Sequence, residues 1–128
     1  MDTSKKTGGH PPPARFSLFA YGFRVHFLLA GLAALWLVPW WAASYAGAVT
    51  LGSDWPPTLW HAHEMLFGFI AAAIAGFLLT AVPSWTGQKG FAGRPLQSLA
   101  SLWLAARVLI GTSPLWPPWL VAIIDLAF

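Results

Sequence analysis

A chain of 128 residues that is 57% hydrophobic and only 9% charged cannot clothe a water-soluble fold, in which roughly 25% of residues are charged. Its seven Lys and Arg and four Asp and Glu leave a net charge of +3, but they are gathered at a few points, so their placement matters more than their sum and no nucleic-acid partner is implied. Cysteine is absent, which excludes disulfides and thiolate metal sites.

Residues 1–14, MDTSKKTGGHPPPA, combine two Lys, two Gly and three consecutive Pro. Such a stretch buries no apolar area and reads as a disordered cytoplasmic tail, with His10 an ordinary solvated side chain. Residues 15–128 read as one transmembrane helical domain. No Asp, Glu, Lys or Arg occurs across residues 25–53, and none across residues 65–88. Each run exceeds the roughly 20 residues that span a bilayer core. The first helix is expected over residues 23–45, bent by Pro39, with Trp36, Trp40, Trp41 and Tyr45 as an interfacial aromatic belt. Ala46-Gly47-Ala48 resembles a signal-peptide cleavage site, but the apolar core of such a peptide is much shorter than this run.

The link TLGSDWPPT gathers Gly52, Ser53, Asp54, Pro56 and Pro57, all turn formers. A second helix is expected from about residue 58, with Pro accepted in its first turn because those amides are unpaired anyway. It ends near Trp85, where Pro83, Gly87 and Gly90 break the pattern. A third apolar run covers residues 95–110 with one internal charge, Arg107. A fourth begins near Trp116 and is only about 12 residues old at Phe128, too short to cross at ~1.5 Å per residue. The expected class is therefore all-α, a polytopic transmembrane helix bundle of three full spans and a truncated fourth, forming the N-terminal fragment of a longer protein.

Orientation follows from the basic residues. Lys5, Lys6, Arg15 and Arg24 precede the first helix, Lys89 and Arg94 sit between the second and third, and the other two links carry no Lys or Arg. All four flanks obey the positive-inside rule for a cytoplasmic N-terminus. The segment Trp60-His61-Ala62-His63-Glu64-Met65 then lies at the non-cytoplasmic end of the second helix.

That segment is the one dense ligand cluster in the sequence, and its imidazoles and thioether suit haem iron or copper. On a regular helix His61 and Glu64 fall within about 60° of each other, while His63 points about 160° away from His61. Both imidazoles then cannot chelate one ion, and the bland alternative is that they anchor the helix at headgroup depth. Gly68, Ala72 and Gly76 continue the His61 and Glu64 line as a small-residue face that lets a neighbouring helix approach. Leu66, Phe67, Ile70, Ile74 and Phe77 fall opposite and are expected to face lipid. Arg107 and Asp125 lie at matching depths on adjacent antiparallel helices, and an ion pair between them is the economical arrangement. The alternative gives Arg107 an anionic partner such as a haem propionate. His26, at the cytoplasmic mouth of the first helix, reads as an interfacial polar residue. No phosphate loop, nucleophile elbow or HExxH pattern is present, so hydrolytic chemistry has no support and no catalytic residue is named.

The strings Ala20-Tyr21-Gly22-Phe23-Arg24, Leu59-Trp60-His61-Ala62-His63-Glu64-Met65-Leu66-Phe67-Gly68-Phe69, Ala75-Gly76-Phe77-Leu78-Leu79-Thr80-Ala81-Val82-Pro83 with Trp85-Thr86-Gly87, Gly93-Arg94-Pro95 and Asp125-Leu126-Ala127-Phe128 resemble the NnrS family of bacterial membrane proteins. The resemblance covers most of the chain from about residue 20 onward. It implies a multi-pass protein of the inner (cytoplasmic) membrane with about twelve helices, containing haem and copper and tied to the response to nitric oxide. It also implies that His61, His63 and Glu64 are the first candidates for metal contact and that Arg107 is a candidate for cofactor contact. Partners would be the lipid bilayer, the remaining helices and nitric oxide. The sequence departs from the family pattern at Val25-His26, where Pro-Phe is common, and at Ser84, where Asn is common. Two other readings compete: a transporter or proton-conducting bundle without metal, in which His61, Glu64, Arg107 and Asp125 form a polar path, and a scaffold that only packs against catalytic helices.

Overall fold

The computed structural model describes residues 18–128. The expected tail over 1–14, with His10, and Arg15 lie outside the described residues. A 3-10 turn, Leu18–Ala20, leads into helix α1, Gly22–Tyr45. One long helical rod follows in three parts: α2, Pro57–His63; a π-helical segment, Glu64–Ile70; and α3, Ala71–Thr86. Helix α4, Arg94–Gly111, and helix α5, Pro118–Leu126, complete the chain, joined by a 3-10 turn at Ser113–Leu115. No strand occurs among the described residues.

Each boundary has a local cause. Pro57 and Pro118 open their helices at first-turn positions, where the missing N–H costs no bond. Gly87, with φ +66°, adopts the left-handed conformation that ends the long rod, and the Gln88 N–H returns to the Pro83 carbonyl at 3.2 Å. Pro39 lies inside α1 without breaking it.

The helices pack as an up-and-down bundle. α1 lies antiparallel to the rod: the Phe23 amide donates to Thr80 Oγ1 at 3.2 Å at one end, and Trp41 stacks on His61 at the other. Along α1 the buried residues His26, Ala30, Ala33 and Leu37 recur at helical spacing. Along the rod Trp60, Glu64, Gly68, Ala72 and Gly76 are buried, one every four residues. A four-residue spacing drifts around a regular α-helix of 3.6 residues per turn. The π segment, whose bonds close on i→i+5, takes more residues per turn and holds the stripe toward one neighbour. Gly76 marks the closest approach, since a Cβ there would sit 2.9 Å from the Phe27 ring and 3.2 Å from His26 Cβ. Gly76→Val is expected to push α1 off α3 at about 1–3 kcal/mol, measured as a lowered thermal midpoint of the full chain in detergent. A Gly76→Val protein as stable as the parent would show that this approach is not tight.

Leu66, Phe67, Ile70, Ile74 and Phe77 are exposed, on the side the sequence assigns to lipid. The rod, of 30 residues, and α1, of 24, are both long and apolar enough to cross a membrane, and only 17% and 28% of their apolar windows are buried within the chain. A soluble monomer rarely exposes apolar surface on this scale. The expectation of three full spans and a fourth is met on this measure for two. Helix α4 has 18 residues and carries Arg94, Gln97, two Ser and Arg107, and α5 has nine.

Candidate functional site

Three helices and the π segment converge on four ionisable side chains near the end of the bundle opposite Arg24, Lys89 and Arg94. His63 closes α2, Glu64 opens the π segment, Arg107 lies on the last turns of α4, and Asp125 lies near the end of α5. Measured from the helix ends on this side of the bundle (Pro57, Gly111 and Pro118), all four sit about 6–11 Å in at ~1.5 Å per residue. Glu64 is 1% exposed, and the side chains of Arg107 and Asp125 are almost as deeply covered.

The contacts form one network. Arg107 Nη1 donates to Glu64 Oε1 at 3.1 Å, and Nη2 donates to Asp125 Oδ1. His63 Nε2 lies 2.9 Å from Asp125 Oδ2 and Nδ1 lies 3.3 Å from Glu64 Oε1. The Arg107–Asp125 pair expected from matching depths is present, and Glu64 joins it as a second carboxylate. A guanidinium forks between two acceptors in a way a lysine ammonium cannot match. Trp103 lines the same side of α4: its indole N–H donates to the Gly68 carbonyl at 2.9 Å, and its ring lies 5.9 Å from the Arg107 guanidinium carbon. Gly68 leaves room for all this, since a Cβ there would meet Arg107 Nη1 at 3.2 Å, Glu64 Oε2 at 3.3 Å and Leu37 at 3.3 Å.

His61, His63 and Glu64 do not converge on one point. His61 turns toward α1, its ring stacked on Trp41 with centroids 4.0 Å apart, while His63 and Glu64 turn toward α4 and α5. Among the described residues no group of three or more His, Asp or Glu side chains is placed to hold a metal ion. Both ring nitrogens of His63 face carboxylate oxygens. Arg107, for which a propionate was the alternative partner, has its two terminal nitrogens on Glu64 and Asp125. The physical reason is charge balance: a buried guanidinium takes the nearest carboxylates, and these are Glu64 and Asp125.

His26 is the residue that sequence reasoning undervalued. It is 0% exposed, turned into the bundle near the start of α1, with Nδ1–H donating to the Gly22 carbonyl at 3.0 Å. That bond fixes the tautomer and leaves Nε2 as a buried acceptor without a protein partner. The signal was available, since His26 falls in register with Ala30, Ala33 and Leu37. His61 Nδ1 and Glu64 Oε2 are likewise buried without partners among the described residues.

Beside the network a cavity of about 310 Å³ opens between the Asp54–Trp55 link, His63, the end of α4 and α5, with Asp125 in its wall. Ser113 Oγ donates to Ser53 Oγ at 3.2 Å across its loop end, tying the two links together. The sequence matches the model of the protein family described as NnrS protein over residues 17–128. No curated protein and no solved structure matches it.

Proposed function

The chain belongs to the NnrS family, and on that premise we propose that it is a multi-pass inner-membrane protein acting in the bacterial response to nitric oxide. Family membership carries the link to nitric oxide. The two long apolar helices, with most of their surface left uncovered by the chain itself, support the membrane setting. In this reading α4 is a third, less apolar span, protected by the pairing of its one deep charge, and α5 enters the bilayer beside it. Growth of a strain lacking the gene under a nitric-oxide donor tests the role: sensitivity relieved by the intact gene is expected, and growth equal to the parent strain would remove the reading.

The N-terminus is cytoplasmic in this scheme, because Arg24, Lys89 and Arg94 flank one end of the helices and the opposite links carry no Lys or Arg. The absence of cysteine makes labelling clean. Thr50→Cys is expected to react with an impermeant maleimide from outside the inner membrane, and Lys89→Cys only after the membrane is opened. The reverse pattern would invert the topology.

Haem and copper are carried in this reading by the family resemblance. His61, His63 and Glu64 are the candidate contacts in this chain, toward separate groups and not as one set around a single ion. A haemochrome assay and elemental analysis of the purified protein decide the matter. Stoichiometric haem and copper are expected, and a colourless, metal-free preparation that still restores tolerance would exclude both.

A further inference from the structure

The last turns of α3 and the segment that follows them hold a groove between them. Gly87 turns the chain back, the Gln88 N–H bonds the Pro83 carbonyl at 3.2 Å, and a Cβ on Gly90 would lie 3.6 Å from Pro83 Cγ. Residues 88–91 therefore run beside the helix end instead of leaving it. The groove measures about 700 Å³. Its walls are apolar, with Leu78, Val82 and Pro83 on the helix side and Phe91 on the segment. Leu78, Val82 and Phe91 are exposed, so it opens outward along its length. From Leu78 to Thr86 it follows the helix for about 12 Å at ~1.5 Å per residue, most of the roughly 15 Å depth of one leaflet's hydrocarbon.

Polar groups gather at one end of this trough. Lys89 and Gln88 line its mouth, beyond the helix end, while the Thr86 hydroxyl donates to the Val82 carbonyl at 2.8 Å. Charge is lopsided here. Arg24, Lys89 and Arg94 lie at this end of the bundle, and the acids among the described residues, Asp54, Glu64 and Asp125, belong to the opposite end. No carboxylate pairs with Lys89 among the described residues. Its ammonium calls for an anion from outside the chain, and the trough beside it calls for hydrocarbon. A small soluble anion would leave the apolar walls uncovered, and a choline headgroup would bring a second cation to Lys89. An anionic phospholipid answers both demands, with its phosphodiester at the basic mouth and chain carbons against the walls.

We propose that the groove between the end of α3 and residues 88–91 binds one anionic phospholipid, its phosphodiester held by Lys89 and one acyl chain laid along Leu78, Val82 and Phe91. The site rests on the membrane setting and is independent of the nitric-oxide role.

The test is native mass spectrometry of the full chain, released from detergent in the presence of equal amounts of phosphatidylglycerol and phosphatidylcholine with identical acyl chains. Phosphatidylglycerol is expected to be retained about five-fold over phosphatidylcholine, the worth of one basic side chain near an anionic headgroup. Lys89→Gln is expected to bring the two lipids level. Arg94→Gln removes the same charge outside the groove and is expected to keep the preference. Equal retention of both lipids by the unsubstituted chain overturns the site, as does a preference that survives Lys89→Gln or vanishes alike in Arg94→Gln. Glycerol phosphate, a headgroup without chains, is expected not to be retained, and its retention at the level of phosphatidylglycerol would leave an anion site only and overturn the lipid assignment. A chain that stays monomeric in water without detergent would overturn the membrane setting itself, whereas equal lipid retention leaves that setting standing. The unsubstituted chain alone decides the preference, so a variant that fails to fold does not protect the proposal.

Discussion

Arg107→Met is expected to be the most damaging single substitution in the chain, costing about 3–5 kcal/mol of stability. The methionine side chain fills much of the space but leaves Glu64 and Asp125 facing each other and His63 without the guanidinium that Glu64 Oε1 and Asp125 Oδ1 now share. Loss of one partner from a buried ionic cluster is worse than loss of the whole cluster, because the orphaned charge keeps its desolvation penalty. Adding Glu64→Gln and Asp125→Leu to Arg107→Met should therefore recover a large part of the loss. Reversible unfolding of the full chain in detergent, compared across the single and triple variants, measures both effects. A single-variant loss below about 1 kcal/mol would place the cluster in the class of exposed ion pairs and remove the argument for burial.

Ile74→Asp tests the solvent around the bundle. Ile74 is 51% exposed, sits near the middle of the 30-residue rod, and touches the outside of the fold. Lipid at that position makes a carboxylate cost about 2.5–3.5 kcal/mol on the insertion scale, whereas a substitution on a water-facing helix surface usually changes stability by about 0.5 kcal/mol or less. Insertion of the rod by a glycosylation-mapping assay should fall several-fold in Ile74→Asp and stay unchanged in Lys89→Asp, beyond the helix end. Equal insertion of the two variants would mean that hydrocarbon does not meet this face.

Much of this architecture was legible because membrane helices advertise themselves through missing charge. The uncharged runs located α1 and the rod to within a few residues. The small-residue line through Gly68, Ala72 and Gly76 identified the face that packs against α1. The Arg107–Asp125 pair followed from depth alone. What the sequence concealed is the local geometry at residues 61–70. An even 100° per residue put His61 and Glu64 together and His63 apart, whereas the chain sends His61 to Trp41 and holds His63 and Glu64 in one network. His63 itself closes a regular α-helix, so its partners depend on where α4 and α5 stand, which spacing along the rod does not reveal. His26 was read for depth alone: its place near the helix end suggested an interface, and its register with Ala30 and Ala33 also turns it inward.

The seven-residue π stretch has a consequence for how this protein tolerates change in length. Deleting one residue between positions 64 and 70 would let the rod rewind as ordinary α-helix, preserving overall hydropathy and every polar side chain outside the gap. Six α residues at roughly 100° each turn the chain nearly as far as seven π residues at roughly 80°, so His63 would keep its direction relative to α3. The bundle is thus encoded in a residue count as well as in residue identities: one codon lost from α2 or α3, where no extra residue is stored, would act as a quarter-turn dislocation that no hydropathy profile registers.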